Sequence, residues 1–301
     1  MRPREFCNLN QVIAREHDTL ETLKEKIKLA TFIGTIQSSL TNFKGVSSDF
    51  IKNSEEERLL GVSISGIMDC PAISSGEPKV LEELKLTVIK ENKKWAKKLG
   101  INPSTSVTCV KPDGNTSVLY DTAPGVHGRY APYYIRRMRM QFGKPVANFA
   151  VAAGIPAEPA FGETWENIKT VVLSFPVKSP DSAVIQTERS AIDQLENWLK
   201  FKLHYTETNP SVTITYRQHE LEYIAAWLYA HQEEVVGLSF LPHDDHTYQQ
   251  APYEAIDKET YERLVAEFPE VDLDKFWAWE VAVDTTSAVQ NLACAGGACL
   301  L

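Results

Sequence analysis

Apolar positions along the chain recur at two spacings, near 3.6 and near 2 residues, and the two kinds of stretch alternate. Leu20, Leu23, Ile27, Ala30, Ile36 and Leu40 fall at helical spacing, which predicts an amphipathic helix over 19–40. The run Glu55-Glu56-Glu57-Arg58 leads into an apolar strand, Leu59 to Ile64, punctuated by Gly66 and followed by Ile67-Met68-Asp69. A charged helix is expected from about Leu81 to Leu99, stopped by Gly100 because glycine readily takes the left-handed conformation that closes a helix. Ser106 to Lys111 reads as a strand ending in the turn Pro112-Asp113-Gly114-Asn115. Further strands are predicted at 170–177, 212–216 and 237–241, and further helices at 192–203, 221–235 and 261–268. Strands alternating with helices in this way define an α/β chain with much parallel pairing. No internal repeat or low-complexity linker interrupts it. The economical division is one α/β domain over 1–283 and a tail over 284–301. That tail is rich in Thr, Ser, Ala and Gly, carries no charge after Asp284 and is expected to be mobile.

Composition narrows the class. A chain of 301 residues that is 43% hydrophobic and 24% charged has the make-up of a globular protein. A net charge of −9 argues against a dedicated nucleic-acid binder, which carries a basic face. No apolar run approaches the roughly 20 residues that span a bilayer, and the N-terminus lacks the apolar core of a signal peptide. Five cysteines are too few for a disulfide scaffold, and an odd number suits a reducing compartment. The expected location is cytoplasmic.

The cysteines themselves are placed suggestively: Cys7 at the start, Cys294 and Cys299 at the end, Cys70 and Cys109 in the body. Cys294 and Cys299 are joined by Ala-Gly-Gly-Ala, small residues that let two thiols close a ring without obstruction. On a mobile tail such a dithiol could visit a buried site and then meet a reductant; the alternative is a frayed end with incidental cysteines. Cys7, taken alone, reads as well as a buried structural thiol. The segment from Thr108 to Ser117 runs strand, turn and helix start, and backbone amides there suit an anion such as phosphate as well as an ordinary capped turn. Arg136, Arg137 and Arg139 form the densest basic cluster, fitted either to phosphate or to neighbouring carboxylates. His243-Asp244-Asp245-His246 looks like a metal cluster, but adjacent residues cannot all face one ion from a regular element, so a solvated loop is expected. Tyr133 and Tyr134 are expected to be packing residues.

Several stretches together resemble the monomeric adenosylcobalamin-dependent ribonucleoside-triphosphate reductases, the class II ribonucleotide reductases. They are Lys111-Pro112-Asp113-Gly114, Pro124-Gly125-Val126-His127, Tyr130-Ala131-Pro132-Tyr133-Tyr134-Ile135-Arg136-Arg137 and the terminal Cys294 to Cys299. Gly61 to Asp69 resembles a glycine-containing barrel strand of that superfamily, Gly237 to Pro242 with Ala251-Pro252-Tyr253 its late part, and Phe6-Cys7-Asn8-Leu9 a segment bearing a reducing cysteine. The resemblance implies the second half of a ten-stranded α/β barrel, adenosylcobalamin as cofactor, and replacement of the ribose 2′-hydroxyl by hydrogen. It further implies Cys7 as one half of the redox pair, Cys294 and Cys299 as the shuttle recharged by a thioredoxin-like reductant, and Asp113, Gly114, Asn115, Thr116 and Ser117 as holders of the substrate phosphates. No cobalamin-contacting residue is implied.

Two departures stand out. The family's usual serine and threonine in the phosphate turn are here Asp113 and Asn115. Its radical-bearing Asn-Pro-Cys-Gly-Glu is absent, since neither Asn102-Pro103 nor Asn209-Pro210 is followed by cysteine. The resemblance then implies that the radical cysteine, the partner of Cys7 and the allosteric region lie on a missing N-terminal portion, as expected for a product of a split gene or a truncated reading frame. The rival readings are a non-catalytic nucleotide-binding remnant, the large subunit of an iron-dependent reductase, and an unrelated dithiol oxidoreductase, which would carry Cys-x-x-Cys at a helix start.

Overall fold

The structure is a computed structural model and describes residues 2–243 and 248–279. In chain order the elements are β1 (Asn8–Ile13), α1 (Leu20–Gln37), α2 (Ser48–Glu57), β2 (Leu60–Ser65), α3 (Pro71–Ser74), α4 (Pro78–Leu99), α5 (Thr116–Leu119), β3 (Tyr133–Gln141), α6 (Pro145–Ala152), β4 (Ala157–Pro159), β5 (Thr170–Lys178), α7 (Ala191–His204), β6 (Thr213–Tyr216), α8 (Leu221–Ala230), β7 (Ser239–Pro242), β8 (Tyr253–Ala255) and α9 (Lys258–Glu267). The described residues form two compact units, one from 2–129 with 180–243 and the other from 130–179 with 248–279.

The first unit is the α/β part. β1 and β2 pair in parallel, from Asn8 opposite Leu60 to Ile13 opposite Ser65. On the other side of β2 runs the segment 106–110, where Val62 stands opposite Thr108 and the N–H of Cys109 donates to the carbonyl of Val62 at 3.2 Å. The strand expected over 106–111 is thus one bridge rather than a full ladder. Its next neighbour is the run before β6, through the Ser211 N–H to the Val110 carbonyl, and β6 pairs with β7 in parallel. Every residue of β2 is buried, which is why Leu-Gly-Val-Ser-Ile-Ser is an almost continuous apolar and small run rather than an alternating one. α1 packs on β1, β2 and α4. It begins at Thr19, whose hydroxyl accepts the Thr22 N–H in a capping box, and α4 ends at Gly100 with φ 68°. The core gathers Leu23 and Ile27 of α1, Val62 and Ile64 of β2, Leu81, Leu84 and Val88 of α4, and Trp198 and Phe201 of α7.

The second unit departs from the parallel expectation. Its sheet, in the order β4-β5-β3-β8, is antiparallel throughout, with Tyr133 opposite Lys178 and Gln141 opposite Thr170. Such a sheet can leave one face wet, and β3 carries three arginines that a parallel strand buried on both faces would not accommodate. The α/β class holds, but the described strands stand in sheets of two, four and two, and no ten-stranded barrel is formed among the described residues. The tail over 284–301 lies outside them.

Candidate active site

Alternate residues of a strand face opposite sides. A Cβ built on Gly34 of α1 would meet the Asn10 side chain, so Asn10 faces the helix and Leu9 and Gln11 face away from it; continued one residue back from the strand, the same alternation puts Cys7 with them. Gly61 and Ser63 of β2 share that second face, as do Cys109 and Lys111 of the neighbouring segment. A Cβ on Gly61 would lie 2.7 Å from Leu9 Cδ2 and 2.8 Å from Cys109 Sγ. Ser63 Oγ accepts the Lys111 N–H at 3.0 Å. Lys111 Nζ reaches Gln11 Oε1 at 3.5 Å, and Gln11 Nε2 donates to Asp113 Oδ2 at 2.5 Å. Three parallel segments thus set two thiols, an amide, an ammonium and a carboxylate on one face.

The thiols stay protonated at neutral pH. Burial pushes the half-buried Cys7 above the ordinary cysteine value, with Glu5 adding to the effect. Burial pushes Cys109 up to about 12, and the nearby Cys7 contributes. Asp113 is also raised by burial, in part offset by the bond from Gln11 and the charge of Lys111.

The phosphate turn differs from its sequence reading in detail. Its left-handed residue is Asp113, φ 57°. Asp113 is 5% exposed, with its carboxylate turned in to Gln11, so it is not presented where an anion would approach. Gly114 and Asn115 are exposed, Thr116 is half-buried, and Ser117 is buried with its hydroxyl 3.5 Å from the Gly114 carbonyl. The helix after this turn, α5, is a single turn long, so the field of a long helix is not available there. Cys294 and Cys299 lie outside the described residues, as do Asp244, Asp245 and His246.

Other motifs resolve into structure. His127 Nδ1 lies 3.0 Å from the Pro124 carbonyl and its Nε2 accepts the Thr213 N–H at 2.9 Å, which fixes a neutral imidazole. Arg129 pairs with Asp69, both nearly inaccessible, at 2.9 Å and also reaches Asp121. The arginine run of β3 is occupied within the second unit. Arg136 donates to the Pro252 carbonyl, Arg137 to the Ala251 carbonyl and Glu254, and Arg139 to the Gln250 carbonyl. Tyr134 is buried in a ring cluster with Tyr130 and Tyr253, as the packing reading expects. Sequence pattern alone does not single out Gln11, Lys111 or Cys109 as site residues. Their signal is the period of two in Cys7-x-Leu9-x-Gln11 and Cys109-x-Lys111-x-Asp113, which becomes meaningful only once the strands are neighbours.

The fold thus built is similar to part of a known ribonucleotide reductase. It matches the crystal structure of a B12-dependent, class II ribonucleotide reductase with a TM-score of 0.79 at 24% identity, over 94% of this chain and 43% of that one. In sequence the chain is related to the adenosylcobalamin-dependent ribonucleoside-triphosphate reductases. It is 28% identical to a probable one of Dictyostelium discoideum over 90% of its length and 29% identical to that of Lactobacillus acidophilus over 98%. It spans 36% and 43% of those two proteins. No family model matches the chain. No helix among the described residues is long and apolar enough to cross a membrane.

Proposed function

We propose that the chain is a C-terminal portion of a cytoplasmic ribonucleoside-triphosphate reductase and supplies part of its barrel, one reducing thiol and the seat for the substrate phosphates. The observation that carries this is the shared face on which Cys7 and Cys109, Gln11 and Lys111 lead along parallel segments to the turn at 113–117. Exposed Gly114 and Asn115 amides, with Lys111 as the nearby cation, hold the phosphates. Asp113 shapes the turn through Gln11, which accounts for an aspartate beside an anion. Cys7 and a second thiol on the absent portion give up two hydrogens. The ribose 2′-hydroxyl leaves as water, C2′ gains hydrogen, and the two sulfurs become a disulfide. Cys294 and Cys299 then exchange with that disulfide and are themselves recharged by thioredoxin or a similar dithiol. Adenosylcobalamin, when bound to the whole enzyme, supplies the radical that starts the reaction. The donor set on this face is thiol, amide, ammonium and carboxylate, and both ring nitrogens of His127 are engaged. These residues do not make a corrin site, and none is assigned to the cofactor.

The test is reconstitution. The purified chain, given a ribonucleoside triphosphate, adenosylcobalamin and dithiothreitol, is expected to form no deoxynucleotide. Adding a separately expressed N-terminal portion is expected to restore formation, and Cys7→Ser in that mixture to abolish it. Turnover by the chain alone, or full activity of the Cys7→Ser mixture, would overturn the reading. Nucleotide binding without turnover in any mixture would replace it with the non-catalytic one.

A further inference from the structure

α2 adds nothing to the hydrophobic core; Ser54 is the residue it buries. Its side chains turn instead to the segment 2–6, just ahead of Cys7. Asn53 Nδ2 donates to the Pro3 carbonyl at 3.0 Å and to the Arg4 carbonyl at 3.3 Å, and Ser54 Oγ accepts the Phe6 N–H at 3.5 Å. Asp49 pairs with Arg4 at 2.5 Å, and Glu56 and Glu57 pair with Arg2. The Phe6 ring is stacked on Phe50, with centroids 4.8 Å apart and planes 28° from parallel, and meets Phe43 edge-on at the same distance. Phe6 is nonetheless 41% exposed, and none of the three rings belongs to the core. Exposed ion pairs contribute little, so the ring stack and the Asn53 bonds carry the contact. The far end of α2 is tied down as well. The Thr105 N–H donates to the Glu57 carbonyl at 2.9 Å, and Asn102 Nδ2 reaches the Glu55 and Glu56 carbonyls at 3.4 Å. Residues 102–105 lead into the segment 106–110 beside β2 and on to the turn at 113–117. One short helix thus joins the run before Cys7 to the run before that turn.

We propose that α2 positions Cys7, with Phe50, Asn53 and Ser54 as positioning residues that act on the thiol through Phe6. Side chains of an extended chain alternate in direction. Phe6 is held towards α2 by its ring and its N–H. Asn8 is held by its N–H and its Nδ2, both on the Leu59 carbonyl, at 2.9 and 3.1 Å. Cys7 lies between these two held residues, so its side chain is sent away from Phe6, to the side of Leu9 and Gln11. A rotation of the chain at position 6 would swing the thiol off that face. Delivery of hydrogen from sulfur to a sugar depends on where the sulfur sits, and a misplacement of about 1 Å can cost about a hundredfold in rate. Cys7 as the reducing thiol is the reading on which this role rests; the hold of α2 on residues 2–6 stands without it.

The first part of the test uses the full chain alone. The parent and its Phe50→Ala, Asn53→Ala and Phe50→Tyr variants are treated with iodoacetamide, and the labelling rate of each cysteine is read by peptide mass mapping. Loss of the stack in Phe50→Ala is expected to raise the Cys7 rate about tenfold, and loss of two bonds in Asn53→Ala to raise it about threefold. The buried Cys70 and Cys109 should keep their slow rates, and Phe50→Tyr, which retains the stacked ring, should label as the parent does. In the mixture with the N-terminal portion, Phe50→Ala should lower kcat about tenfold at an unchanged KM for the ribonucleoside triphosphate, and Phe50→Tyr should restore kcat. A Cys7 rate unmoved in both alanine variants would overturn the proposal, as would Cys70 and Cys109 speeding up together with Cys7, the mark of general loosening. An unchanged kcat in an active mixture, or a raised KM with kcat intact, would overturn it as well. A parent mixture that makes no deoxynucleotide would sink the reductase reading instead and leave the labelling rates to decide on the hold of α2.

Discussion

His127 resists a second proton in this fold. Burial makes a charge on the ring costly and holds the group below its ordinary 6.5; its Nε2 also accepts the Thr213 N–H, so a proton there would set two donors face to face. Stability therefore depends on pH in a definite direction. Above pH 6.5 the imidazole is neutral folded and unfolded, and its contacts contribute in full. As pH falls below 6.5 the unfolded chain takes up a proton that the folded one resists, and stability declines until the depressed folded value is passed. The expected observation is an NMR titration of His127 with a midpoint below 6.5, and a loss of urea stability between pH 6.5 and that midpoint which His127→Gln flattens. A midpoint at or above 6.5 would contradict the fixed tautomer. Nothing in Pro124-Gly125-Val126-His127 as letters told a catalytic histidine from a pinning one. The distinction lies in Thr213, 86 residues away.

At the level of elements, β2 and the turn after it organise the first unit. Gly66, φ 74°, turns the chain out of β2, and a side chain there would run into the Ala14 carbonyl. The turn delivers Asp69, whose carboxylate takes the Ala123 N–H at 2.8 Å and the Arg129 guanidinium. Burial alone would lower the Arg129 pKa, but Asp69 and Asp121 outweigh it and hold the charge. A buried pair broken on one side leaves the other charge stranded, a loss of about 3–5 kcal/mol. Asp69→Asn is therefore expected to lower the free energy of unfolding by about that amount, read from urea denaturation; a change under about 1 kcal/mol would mean that water or Asp121 replaces the lost partner. The elements of this unit were largely legible. Gly100 marked a helix end, and the apolar period placed α1, α4, α7 and β2 within a few residues. β1 was not, because Asn8 to Ile13 mixes amides with apolar residues without a clear period of two and is mostly half-buried. β3 stayed ambiguous, because an arginine run fits a phosphate site and a sheet equally well until the carbonyls of 250–252 are seen to take the guanidinium protons.

For the whole molecule, motif order carried the family likeness while the division into two units stayed hidden. The sequence places 130–179 inside a continuous series of strands and helices, and no linker marks where one unit hands over to the other. The residues of the proposed site, Cys7 and the turn at 113–117, stood out in the sequence because they rest on local residue types. The face that joins them was not, because it depends on which segment lies beside β2. The two units also differ in what holds them. The first is built round large buried side chains such as Trp198, Phe201, Leu23 and Ile64, whereas the fully buried cluster of the second is Ala147, Ala150, Val171 and Leu173. With roughly 25 cal/mol gained per Å² of apolar surface buried, small side chains and a half-wet sheet give the second unit much the smaller return. Its arginine-to-carbonyl bonds add direction, yet each contributes only about 1.5–3 kcal/mol. The two units should therefore open at different free energies. In native-state hydrogen exchange with rising urea, the amides of Val171, Val172 and Leu173 in β5 are expected to lose protection before those of Val62 and Ile64 in β2, by at least about 1.4 kcal/mol, a tenfold difference in opening. Merging of both sets at one free energy across the urea range would show instead that the units unfold as a single cooperative body.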